Sequence, residues 1–119
     1  MAAGAARRVV GRSVGPSVQA YARDGAVVLR GVLNAEELRK LEAGIEHNLA
    51  HLSPLALVAS EPDDPGRFVE DFCTWQSNPA YQQILCDSAL PHIAAQLMQS
   101  RAVRLYHDHL LVKEAGTRQ

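Results

Sequence analysis

Two histidines and a lysine fall at alternating positions near one end of the chain, in the run Ala102 to Lys113 that contains His107, His109 and Lys113. Imidazole nitrogens ligate metals near neutral pH, and a lysine ammonium pairs with carboxylates or phosphates. The run Ala102 to Val112 is mostly β-branched, aromatic or Leu and free of Gly and Pro, so it is expected to form a strand. Side chains two apart on a strand share a face. Leu105, His107, His109, Leu111 and Lys113 are therefore expected on one side, and Arg104, Tyr106, Asp108, Leu110 and Val112 on the other. A His-x-His pair on a strand can chelate, but a structured metal site needs a third ligand, and none is visible nearby. Hydrogen-bonded pocket or surface histidines are the other reading. His107 and Asp108 are adjacent and point to opposite faces, so they do not form a His-x-Asp motif.

The remaining reactive side chains give weaker signals. His47 and His51 are four apart on an expected helix, a spacing at which two imidazoles can share a metal. Asn48 stands where a His-Glu-x-x-His motif needs Glu, and the pair lies off the leucine stripe, which fits a solvated face. Cys73 and Cys86 have no C-x-x-C spacing, so reduced thiols in a cytosolic compartment are expected. Trp75 fits a packing role.

These groups must be carried by elements that the pattern outlines. Ser17 to Arg23 suits a short helix ending at Asp24-Gly25, where glycine can cap in the left-handed conformation. Ala26 to Val32 reads as a strand. Asn34 and Glu37 form a capping-box pattern. Leu38, Leu41, Ile45, Leu49 and Leu52 then mark one face of a helix from about Ala35 to His51. Ser53 to Gly66, with Pro54, Pro62, Pro65 and Gly66, reads as a loop long enough to serve as a lid or a plain connector. Phe68 to Trp75 is expected to be extended or irregular. Asn78-Pro79 starts a helix with Tyr81, Ile84 and Leu85 on its buried side, and Ser88 starts another that ends near Ser100.

A chain of 119 residues, 47% hydrophobic and 21% charged, fits about one small α+β domain. Its net charge of −1 and six aromatics argue against a nucleic-acid partner, and no apolar run is long enough to span a bilayer. Residues 1–16 are expected to form a flexible tail. Arg7, Arg8 and Arg12 precede the first acidic residue, Asp24, which leaves an organellar address as the alternative to a cytoplasmic one.

Several blocks together resemble one family. The string Arg104-Leu-Tyr-His-Asp-His-Leu-Leu-Val-Lys113-Glu-Ala-Gly116 resembles the strand before the iron-binding motif of the phytanoyl-CoA dioxygenase family, which are Fe(II)/2-oxoglutarate oxygenases. Tyr21 to Leu33 is similar to the family's opening strand, Glu36-Glu37-Leu38 to the start of its next helix, and Phe68-Val-Glu-Asp71 with Trp75 and Pro79 to its central segment. The resemblance covers about residues 17 to 117, and residues 17–119 are read as a partial domain of this kind.

The resemblance implies a double-stranded β-helix, or jelly-roll, with flanking helices, and an enzyme that hydroxylates an unactivated carbon of a small-molecule substrate. Fe(II) and 2-oxoglutarate would be its cofactors. His107, His109 and Lys113 would then be cofactor-binding groups beside the iron and the co-substrate. Ala115 replaces the proline of the family's Lys-Glu-Pro-Gly turn, and the Trp-His-x-Asp iron motif is not among these residues. The expectation is an incomplete barrel, inactive alone, that lacks a C-terminal half. Two alternatives stand beside it: a non-catalytic interaction module, and a small metal-binding protein using His107 and His109.

Overall fold

The computed structural model describes residues 14–118, so the expectations placed on the arginine-bearing tail lie outside the described residues up to position 13. Helix α1 spans Gly15–Asp24 with Pro16 in its first turn, where a missing N–H costs nothing. Gly25 ends it at φ 73°, donating its N–H to the Tyr21 carbonyl. Helix α2, Ala35–Ala50, starts on the expected capping box: Asn34 Oδ1 accepts from the backbone of Glu36 and Glu37, and Glu37 accepts from Asn34 N–H at 2.8 Å.

Three antiparallel strands follow in the order β1-β2-β3: β1 Leu57–Val58, β2 Phe68–Phe72 and β3 His109–Lys113. The register pairs Leu57 with Glu70, Phe68 with Lys113, Asp71 with Leu110 and Phe72 with His109. Between β2 and β3 lie helix α3, Pro79–Gln82, a π-helical turn over Gln83–Asp87, and helix α4, Leu90–Leu97. The molecule is thus a mixed α+β protein with an open antiparallel sheet.

The two sheet faces differ. Val69 and Asp71 are buried on the side packed by α2 and α3, together with the half-buried Leu110 and Val112. The opposite face carries Phe68, Glu70, Phe72, His109, Leu111 and Lys113, with Leu57 and Leu111 more than half exposed. Among the described residues the buried apolar side chains are Val14, Val69, Tyr81 and Ile84, a small core. The radius of gyration is 16.9 Å, against about 13 Å for a compact domain of this length.

Four expectations change. Ala26 to Val32 is not a strand, because no described segment pairs with it. The strand expected from Ala102 begins only at His109, which leaves His107 outside the ladder. Its partner ends at Phe72, and Cys73, at φ 58°, turns the chain away after donating its N–H to the Asp108 carbonyl. The loop Ser53 to Gly66 contains β1. The deepest line of α2 is formed by Gly44 and Asn48, while Leu38 and Leu52 of the leucine stripe are exposed.

Candidate functional site

Of the three side chains singled out by spacing, the sheet brings two onto one face. His109 stacks on its cross-strand partner Phe72 with ring centroids 4.2 Å apart, and its Nε2 lies 3.9 Å from Glu70 Oε1. Lys113 places its ammonium 5.5 Å from the centroid of its partner Phe68, within cation–π range. His107 is exposed and meets the Tyr106 ring edge-on at 4.9 Å. The period-two reading of faces therefore holds from His109 to Lys113, with Leu110 and Val112 turned the other way.

The open face is a row of cross-strand pairs in which His109 stacks on Phe72 and Lys113 lies over Phe68. Glu70 and Leu111 separate the two pairs. His109 and Lys113 are four residues apart, about 13 Å along the strand, so each meets a different part of anything seated there. Among the described residues, no three His, Cys, Asp or Glu side chains are grouped to hold a metal ion. His47 and His51 stack at 4.5 Å on an exposed helix end. Cys73 and Cys86 are exposed free thiols.

Behind the sheet lies a polar network that spacing did not single out. Asp71 is fully buried and accepts four hydrogen bonds: from Asn48 Nδ2 at 2.7 Å, Ser53 N–H at 2.9 Å, the Ser53 hydroxyl, and Phe72 N–H at 2.9 Å. Burial alone would raise the pKa of this carboxyl, but the bonds from Ser53, Asn48 and Phe72 outweigh it and hold the value below the ordinary carboxylate range. The Thr74 hydroxyl lies 3.0 Å from both Asn48 Oδ1 and Asp108 Oδ2. With one proton it donates to one of them at a time. Asp108 also accepts from the backbone of Thr74 and Trp75, each at 3.1 Å. The network ties α2 to the turn after β2 and to the start of β3, and so positions the strand that carries His109 and Lys113.

The signal for Asp71 was its place in period two with Val69 on one face of the run Phe68-Val-Glu-Asp-Phe72, where an acidic residue is unexpected. Its partners Asn48 and Ser53 come from distant parts of the chain, which no local pattern reports.

The chain matches no family model, no curated protein and no solved structure. No helix among the described residues is long and apolar enough to cross a membrane.

Proposed function

We propose that this chain is part of a phytanoyl-CoA dioxygenase-like domain and that the open sheet face is one wall of its co-substrate pocket. The observation that carries this reading is the shared placement of His109 and Lys113, each over an aromatic ring, on the face that the helices leave uncovered. In a jelly-roll such a face looks into the barrel. Lys113 offers its ammonium to a carboxylate of 2-oxoglutarate, and Phe68 beneath it keeps it extended over the sheet. His109, held by Phe72 and Glu70, presents a ring nitrogen to a second polar group. Bound iron and 2-oxoglutarate would supply the oxidising equivalent for hydroxylation. The described residues form no iron site, so this reading gives the chain a co-substrate wall only, with the jelly-roll completed by other strands.

The test is titration of 2-oxoglutarate into the full 119-residue chain, followed by amide NMR. Shifts are expected at β2 and β3, weakened about tenfold or more by Lys113→Ala, with no succinate formed when iron and oxygen are added. Failure to bind at millimolar concentration would overturn the reading. An exposed apolar face also suits protein association, so a chain that ignores 2-oxoglutarate but dimerises through β2 and β3 would favour the interaction module. Iron-dependent succinate formation by the purified chain would overturn the division of labour proposed here.

A further inference from the structure

The sheet ends on two edges of different character. β1 is two residues long, and so short a strand protects an edge from further pairing. β3 is five residues long, holds no proline or glycine, and pairs with β2 one residue to one without a bulge. At one end of that ladder Cys73 N–H bonds the Asp108 carbonyl, and at the other Glu114 N–H bonds the Arg67 carbonyl. Bonded positions alternate along an antiparallel pair. The main chain of Leu110 and Val112 is therefore bonded to β2, while His109, Leu111 and Lys113 turn their N–H and C=O groups outward. Among the described residues, nothing bonds these outward groups.

Charged side chains commonly guard such an edge. Here the two polar ones lean the other way: Lys113 holds its ammonium over Phe68 and His109 stacks on Phe72, and both rings belong to β2. The row is also complementary to itself. When a second β3 runs antiparallel about a two-fold axis at Leu111, His109 of each copy lies opposite Lys113 of the other, so no two ammonium groups oppose each other. Every outward N–H then meets an outward C=O. Leu111, which is 52% exposed, packs against Leu111 of the second copy, and on the opposite face the half-buried Leu110 meets Val112.

We propose that β3 is the contact of a symmetric dimer of this chain, two copies pairing edge to edge about Leu111 into one continuous antiparallel sheet. A two-fold contact presents the same patch from both copies, which is what the row His109 to Lys113 satisfies. The pairing uses main-chain groups and leaves the open face uncovered, so this inference stands whether or not that face binds 2-oxoglutarate.

The full chain is followed by sedimentation equilibrium and by amide hydrogen exchange at micromolar and millimolar concentration. A dimer is expected whose formation slows exchange at His109, Leu111 and Lys113, whereas Leu110 and Val112, already bonded to β2, are protected at both concentrations. Leu111→Pro deletes an outward N–H and no bond of the β2–β3 ladder, a place where an edge strand tolerates proline. It should weaken the dimer about tenfold or more, since two interchain hydrogen bonds are lost, and keep the protection of Leu110 and Val112. At the two-fold axis each residue meets its own copy. Leu111→Lys and Leu111→Glu should therefore each weaken the dimer by opposing like charges, and an equimolar mixture of the two should restore it as a heterodimer. Should Leu111→Pro lose the ladder, the mixture decides. The proposal is overturned if the chain stays monomeric at millimolar concentration, if concentration-dependent protection falls on residues other than the edge of β3, if Leu111→Pro with an intact ladder dimerises as tightly as the parent, or if the mixture fails to pair.

Discussion

The Asn78 side-chain amide donates to the backbone carbonyl of Gly44 at 2.9 Å, pinning the N-terminus of α3 against the middle of α2. The same Asn78 caps α3 by accepting from Ala80 N–H at 3.1 Å. Gly44 makes the approach possible, since a Cβ there would lie 2.7 Å from Ala80 Cβ and 3.3 Å from Tyr81 Cε1. Gly44 thus sets where Tyr81 sits.

Gly44→Ala should therefore destabilise the chain, although alanine is the better helix former by about 1 kcal/mol. Overpacking of this kind costs about 1–3 kcal/mol. The net loss should appear as a lower urea midpoint. A raised midpoint would mean that α3 yields freely and that the contact positions nothing.

Asp71→Asn tests the buried network. Whichever way the new amide turns, its NH2 group faces a backbone N–H, that of Phe72 or that of Ser53, and neither can become an acceptor. An unpaired buried group costs about 1–3 kcal/mol, and the charge-assisted bonds are lost as well. The folded carboxyl has a lowered pKa, so its stabilisation is fully present above the unfolded value of about 3.9. It disappears as pH falls through the folded value. Acid unfolding of Asp71→Asn should lack this component. Identical acid profiles for the two proteins would remove Asp71 from its assigned role.

Tyr81 gives the opposite signature at high pH. Its folded pKa is raised to about 12, against about 10 when unfolded. The neutral form is favoured in the fold, so stability is intact below pH 10 and declines as pH rises toward 12, by roughly 2 kcal/mol. Tyr81→Phe should abolish that decline. In an ultraviolet titration a late-ionising tyrosine should appear, and its loss in Tyr81→Phe assigns it. Late ionisation that persists in the variant would contradict the assignment.

Legibility in the sequence follows the range of the interactions. The capping box of α2, the glycine stop of α1 and the Asn-Pro start of α3 rest on contacts within four residues, and all were readable. The facing of His109, Leu111 and Lys113 was also readable, because alternation is local. The extent of β3 was not: it depends on Cys73 turning away at a positive φ some 35 residues earlier. A run such as Ala26 to Val32 has strand composition but no partner among the described residues, and a strand exists only when paired. The burial of Asn48 in place of the leucines follows from Asp71, which is 23 positions away. The unpaired hydroxyl of Tyr81 has no signature in the sequence, because a missing partner is a property of the assembled fold.

The face assignment on β3 separates binding from stability at neighbouring positions. His109 is on the open face against Phe72, and its removal strips one stacked pair from an exposed surface, worth about 0.5–1 kcal/mol. Leu110 points the other way, half-buried on the helical side. Truncating it to alanine should cost about 2 kcal/mol, the low end for a core leucine, because it is not fully buried. If the open face holds 2-oxoglutarate, His109→Ala should weaken that binding with little change in the urea midpoint. Leu110→Ala should lower the midpoint and leave the affinity of the folded fraction intact. A one-residue slip in the β2–β3 register would exchange the two faces and reverse all these responses.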